Sequence, residues 1–501
     1  MVKKEGKMPV VAIDQGTTSC RAILLDEDAT LLAHSQRPFT QHYPQSGWVE
    51  HNAMEIWEVQ REVIIDVIKR GDMQASDITG MGMANQRETI AIWEKESGLP
   101  VAHAIVWQDR RGQELCVKLR NEGLEPFFRQ RTGLLLDPYF SAIKLRWLLD
   151  HRPDIRERAE SGELLCGTMD SWILYNITAG QIHATEPSNA SRTLMMNLHT
   201  QAWDREILEL LCIPESMLPR IIPSIGRLAE TDPGIIGANI PIYAMLGDQQ
   251  ASLFGHGCFD PGMVKHTYGT GAFLVMMIGG EPLFADGILT TIAWQQENEK
   301  TLFALEGSIF VAGAAIEWLK EGLGLIATTA EVEDLAMSVK DTHGLYFVPA
   351  LTGLGAPYWD PEVRGMMLGL SRGTRKEHLV RAALEAMVFQ TQDVLAAMEA
   401  TQIPIKELRL DGGAATNSML MQLQADLAGV PVHTTHTHEV TALGAGMAAM
   451  VGKGTLTLDD VANHWKSNQI FRPSSVRDDV RQRWNHEWKK AVNHARGWQH
   501  S

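Results

Sequence analysis

One turn occurs twice in this chain, and that repetition limits the fold more than any other feature. Residues 10–13 (VVAI) form a short apolar run, DQGTTS follows at 14–19, and a second run fills 21–25. Much further on, residues 263–268 (MVKHTY) lead through Gly269-Thr270-Gly271 into the apolar run 272–278. Each stretch reads as strand, tight glycine–threonine turn, strand. A chain that builds the same hairpin in each half predicts two similar units.

The flanking segments extend the pattern. Residues 31–34 continue the first hairpin as a third strand. Asn52 starts a helix, with Glu55 placed to close a capping box. Ile56, Val59, Val63, Ile64, Val67 and Ile68 recur at helical spacing, and Gly71 ends it. A strand over 78–84 runs into Asn85-Gln86-Arg87-Glu88-Thr89. In the second half, a strand at 407–410 enters Asp411-Gly412-Gly413-Ala414 and then a helix from about Asn417 to Leu427. Strands alternating with helices give an α/β class. At 501 residues the chain exceeds one ordinary core. Two domains are expected, residues 1–255 and 256–501, with the boundary in the stretch 255–261.

Each turn carries a chemical reading beside a plain one. In DQGTTS, backbone N–H groups and the hydroxyls of Thr17, Thr18 and Ser19 can converge on phosphate oxygens. Asp14 suits the water shell of a Mg²⁺ ion, which binds few carboxylates, and Arg21 suits a phosphate. An ordinary polar hairpin has the same composition, and no Walker-type GxxxxGK[ST] is present in the chain. Gly269 and Thr270 on their own describe a tight hairpin; paired with DQGTTS they describe a clamp on one polyphosphate. Gly413 opens space at a helix start for a flat base or a phosphate. Asp248, after the strand-like run 241–246, is either a helix cap or the acceptor of a substrate hydroxyl proton. Arg87 and Glu88 offer donors and an acceptor to vicinal hydroxyls, and Trp107, Tyr139 and Phe273 offer faces to C–H groups. A surface ion pair and core aromatics are the ordinary reading of those five residues.

Charge and cysteines narrow the setting. Lys and Arg total 45 against 61 Asp and Glu, a net charge of −16, which argues against nucleic-acid partners and anionic membranes. The five cysteines include no CxxC pair, as expected of a reducing compartment. The N-terminal lysines precede an apolar run too short for a signal peptide, and other apolar runs have core-strand length. A cytoplasmic protein with no membrane insertion is expected.

With these residues in place, the chain resembles the FGGY carbohydrate kinases of the actin-like ATPase superfamily. YFSAIKLRWLLDH (139–151) and GMMLGLSRGTRKEHLVRAALE (365–385) match the two family signatures. GWVEHNAMEIW, NQRET, GDQQASLFG, YGTGAF, ALEGSIFVAGAAIEWL, GLGAPYWDPEVRG and LDGGAATN occur in the order of the glycerol-phosphorylating branch. The resemblance runs from about Val10 to Trp498. It implies two ribonuclease-H-like domains flanking a deep cleft, and transfer of phosphate from ATP, with Mg²⁺, to glycerol, giving sn-glycerol 3-phosphate and ADP. The alternative within the family is another polyol or a ketose; a non-catalytic nucleotide-binding regulator is the alternative outside catalysis.

The resemblance also assigns roles. Asp14, Thr17, Thr18, Ser19, Arg21, Gly269 and Thr270 would meet phosphates and metal. Gly313, Glu317, Gly413 and Asn417 would lie by the nucleoside. Arg87, Glu88, Tyr139, Asp248 and Gln249 would hold glycerol between Trp107 and Phe273, with Asp248 as general base. Glu317 departs from the family's usual Gln, and Ala142-Ile143 from its usual Gly-Thr. Family members are commonly homodimers or homotetramers. Some are inhibited by fructose 1,6-bisphosphate at a Gly-Gly-x-Arg loop, and others are activated by histidine phosphorylation nearby. Residues 226–240 here, GRLAETDPGIIGANI, contain no Gly-Gly pair and no histidine.

Overall fold

The computed structural model describes residues 8–437, 439–474 and 478–498. The N-terminal lysines at positions 3, 4 and 7 lie outside the described residues. Among those described, two large sheets repeat one plan. In the first, Leu31–Pro38, Ser19–Leu25 and Val10–Gln15 form an antiparallel meander. Gly80–Asn85 then adds parallel to Val10–Gln15, Pro241–Gly247 adds parallel to that, and Ile225–Glu230 closes the edge antiparallel. In the second, Leu302–Ile309, Ala272–Gly279 and Met263–Tyr268 form the meander, with Leu289–Trp294 outside it. Glu407–Gly412 and Val432–Thr435 follow in parallel, and Ser467–Phe471 closes antiparallel. The repetition read from the two hairpins therefore extends to whole sheets.

The first helix shows how local sequence sets local structure. It spans Ala53–Arg70, and Asn52 caps it by accepting from the N–H groups of Met54 and Glu55. Ile56, Val63, Ile64, Val67 and Ile68 are buried on one face, each worth roughly 1.5–3 kcal/mol of burial. Val59 is only half-buried. The expected capping box does not form: the carboxylate of Glu55 instead accepts from the N–H and hydroxyl of Thr40, at 2.9 and 2.8 Å. A tertiary partner has displaced the local one.

The two halves are laced together. Helix Val440–Lys453, late in the chain, packs on five strands of the first sheet and crosses helix Asp248–Gly255. At the crossing, a Cβ on Gly444 would strike the carbonyl of Ala251 and one on Gly255 that of Val440. None of the described helices is long and apolar enough to cross a membrane. All five cysteines are free.

Candidate functional site

The registers put the candidate turns at matching places. Gln15, Asn85 and Gly247 lie side by side where three parallel strands end. Tyr268 and Gly412 do so in the second sheet. Ligands of parallel α/β sheets bind at such carboxyl ends. DQGTTS, the segment 86–89 and Asp248-Gln249 thus leave one sheet together, and the glycine turns at 269 and 413 leave the other.

The first hairpin is closed by Gly16 N–H donating to the Ser19 carbonyl at 3.0 Å, and it leaves Thr18 exposed. The second is closed by Gly269 N–H donating to the Gly271 carbonyl at 2.9 Å, and it leaves Thr270 exposed. Gly313 N–H donates to the Gly269 carbonyl at 3.0 Å, and a Cβ on Gly313 would come within 2.6 Å of that oxygen. This fixes the start of the next helix against the hairpin. Gly412, at φ +90°, presses on the Tyr268 carbonyl, where no side chain fits. Gly413 beyond it has open space, and Asn417 caps helix Ser418–Ala428.

Asp14 is half-buried, and the loss of water around it pushes its carboxyl up to about 7; Arg21, 4.0 Å away, works against the rise, while Asp248 and Glu439 add to it. Arg21 itself pairs with Glu439 at 2.7 Å and with Gln36 at 3.2 Å. Glu317 pairs with Lys320 at 2.9 Å and is about half exposed.

Arg87 and Glu88 are buried, and each takes another partner in place of its neighbour. Arg87 forks onto Glu306, Nη1 to Oε2 at 2.5 Å and Nη2 to Oε1 at 2.9 Å. Its Nε lies 3.2 Å from Oδ1 of Asp248. Glu88 accepts from Arg192 Nε at 2.6 Å. Burial raises the Glu88 carboxyl, with Arg192 and Arg87 opposing. Glu88 also has φ +59°, in a turn where Thr89 N–H donates to the Arg87 carbonyl at 2.6 Å. A left-handed glutamate costs about 1–3 kcal/mol and persists only where its surroundings enforce it. The surface-pair reading of these two residues is excluded.

Asp248 is the first residue of its helix, and Gly247 occupies the cap position. The carboxylate is therefore not the cap; its Oδ1 accepts from Gln249 N–H at 2.7 Å. A Cβ at Gly247 would lie 2.5 Å from Cδ of Arg87, so glycine lets the arginine pass. Trp107 stands between Tyr139 and Phe273, with ring centroids 5.7 and 6.1 Å away, and so joins the two halves.

Sequence reasoning missed four supporting residues. Glu306 and Arg192 hold Arg87 and Glu88. Lys265 is fully buried and donates to Oε1 of Gln249. Lys144, from the first signature, donates to the carbonyls of Pro138 and Tyr139. Burial lowers both lysines, Lys144 to about 7. The available signal was a lone charge in an apolar strand, as in LFALEGSI and MVKHTY, since an unpaired charge is rarely buried there.

Comparison with known proteins fits this geometry. Residues 9–255 match the N-terminal domain of the FGGY family of carbohydrate kinases, and residues 264–452 match its C-terminal domain. A glycerol kinase of Citrifermentans bemidjiense is 52% identical over 491 residues, covering 98% of this chain and 99% of that protein. Glycerol kinase 2 of Thermotoga maritima is 48% identical over 493 residues, with the same coverage. The crystal structure of Plasmodium falciparum glycerol kinase with ADP superposes with a TM-score of 0.91 at 32% identity, over 97% of this chain and 98% of that one. A gluconate kinase structure from Lactobacillus acidophilus, at 20% identity and a TM-score of 0.90, shares the fold. With both domain matches in order along one chain, and two repeated sheets to hold them, the chain belongs to the FGGY family of carbohydrate kinases and has their actin-like ATPase fold.

Proposed function

We propose that this chain phosphorylates glycerol with MgATP, yielding sn-glycerol 3-phosphate and ADP. The observation that carries the reading is Asp248. Its carboxylate stands at a strand end, 3.2 Å from the buried guanidinium of Arg87. Glycerol lies against Arg87, Glu88, Tyr139 and Gln249, with its carbons packed on Trp107 and Phe273. Asp248 accepts the hydroxyl proton as that oxygen attacks the terminal phosphorus. The bond from that phosphorus to the bridging oxygen breaks, and ADP leaves with the electron pair.

Residues 1–255 would supply the polyol side and the DQGTTS turn, and residues 256–501 the nucleoside side. Thr17, Thr18, Ser19, Arg21, Gly269 and Thr270 would hold the phosphates. Gly313, Glu317, Gly413 and Asn417 would border the nucleoside. Among the described residues, no group of three or more His, Cys, Asp or Glu side chains is placed to hold a metal. A Mg²⁺ ion bound by the single carboxylate of Asp14, water and phosphate oxygens fits that arrangement. When bound, it would neutralise charge on the transferring phosphate.

A homodimer or homotetramer in the cytoplasm is part of the same proposal; sedimentation and fractionation test it. The catalytic reading is tested by coupling ADP release to a panel of polyols and ketoses.

A further inference from the structure

Of the residues expected to bind glycerol, Arg87 is held directly, and Glu88 through Arg192, by a carboxylate from the other half of the chain. Glu306 lies on strand Leu302–Ile309 of the second sheet and is fully buried. Both of its oxygens face Arg87. Oε1 also accepts from Arg192 Nη2 at 3.1 Å and from Ser308 Oγ at 3.4 Å. Arg192 in turn donates through Nε to Glu88. The order is Asp248, Arg87, Glu306, Arg192, Glu88, with charges alternating in sign throughout.

We infer that Glu306 is the positioning residue of the polyol site, fixing Arg87 and Glu88 in their binding orientations from across the two halves. This rests on the glycerol reading above. The chemistry follows from the fork. A guanidinium has two faces for bidentate pairing. Glu306 occupies the terminal-nitrogen face, which leaves Arg87 only its Nε for Asp248. Without Glu306 the freed Nη groups would turn to Asp248 and tie up the proton acceptor, and Arg192 would lose the partner that steadies its grip on Glu88. Burial alone would raise the Glu306 carboxyl, but Arg192 and Arg87 outweigh it and hold it at about 2, so the clamp stays ionised at working pH. Among the described residues, none of these five side chains hydrogen-bonds to either glycine–threonine hairpin.

The test is Glu306→Gln in the full-length protein, followed by glycerol saturation, ATP saturation and basal ADP release without glycerol. A misaligned pair of binding groups costs on the order of 10²-fold. The expected result is a glycerol kcat/KM reduced by roughly 10- to 100-fold, with KM rising and kcat falling, while KM for ATP and basal ADP release stay within about twofold. Glu306→Asp keeps the charge one methylene short and should show the same split at smaller size; it carries the test if the Gln variant does not fold. Combined with Arg87→Lys, Glu306→Gln should cost much less than it does alone, because its effect passes through Arg87. Unchanged glycerol kinetics, an equal loss on the ATP side, or full additivity with Arg87→Lys would overturn the inference. Wild-type protein that prefers another substrate would instead overturn the glycerol reading; the Glu306 variants would then be measured with that substrate.

Discussion

Trp107 and Thr17 share a hydrogen bond, the indole Nε1 donating to Oγ1 at 2.9 Å. Trp107 belongs to the aromatic wall of the proposed polyol site, and Thr17 to the turn proposed to hold phosphate. The two proposed sites are thus joined through one donor and one acceptor.

Trp107→Phe keeps a ring for the polyol carbons and removes the donor. A lost hydrogen bond of this kind is worth about 0.5–1.5 kcal/mol. The variant should therefore raise KM for ATP by roughly two- to tenfold, although the residue lies on the polyol side. Steady-state kinetics with ATP varied at saturating glycerol measures this, and an unchanged KM for ATP would show that the bond does not couple the sites.

Asp248→Asn retains the shape of the side chain and removes its basicity. As general base, Asp248 should be worth on the order of 10²–10⁴ in kcat, with ATP binding little changed. Rapid-quench measurement of a single turnover reads the chemical step directly. Near-full kcat in the variant would leave Asp248 with no role in proton transfer.

Fructose 1,6-bisphosphate at millimolar concentration should leave activity nearly unchanged. Residues 226–240 run from strand Ile225–Glu230 into the short helix Pro233–Ile236. Arg227 is already paired with Glu230, and Asp232 accepts from Gly234 N–H at 2.7 Å. A doubly charged anion would meet carboxylates there, with few donors pointing at it. Saturable inhibition persisting at matched ionic strength would place an anion site on other residues.

Asp393 lies on the long helix Lys376–Glu399 and accepts at Oδ2 from Tyr358 OH at 2.8 Å and from Trp488 Nε1 at 2.6 Å. Burial pushes its carboxyl from 3.8 up to about 6, with the two donors opposing. The folded pKa lies above the unfolded one, so its favourable contribution is present in full below 3.8 and is lost as pH rises through about 6. Asp393→Asn keeps an acceptor for both donors and removes the charge. Thermal melts should show the variant at least as stable as wild type at pH 7.5, with the difference shrinking or reversing by pH 4.5. A variant less stable at pH 7.5 would mean the ionised carboxylate is the better partner.

The repeated hairpin was enough to read the doubled sheet, because both depend on short-range signals: β-branched runs and glycine turns. The helix after Asn52 and the helix start near Asn417 are legible for the same reason. What stayed hidden depends on contacts between distant residues. Glu55 turned to Thr40, which no local rule anticipates. Asp248 looked like a cap until Gly247 was found in that position. Glu306 and Arg192 are separated by 114 positions in sequence, and only the meeting of the two halves brings them to Arg87 and Glu88. A lone acid in an apolar strand marked Glu306 as unusual, but its partners could be found only in the folded chain.

The central claim is that the polyol site accepts glycerol in preference to larger sugars. The most direct test is ADP release by the purified wild-type chain at saturating MgATP, with glycerol, xylulose, ribulose and gluconate each titrated in turn. The account predicts a kcat/KM for glycerol at least about tenfold above that for any of the other three, since contacts made only by the correct substrate are worth a factor of that order or more. A higher kcat/KM for any of the three sugars would contradict it.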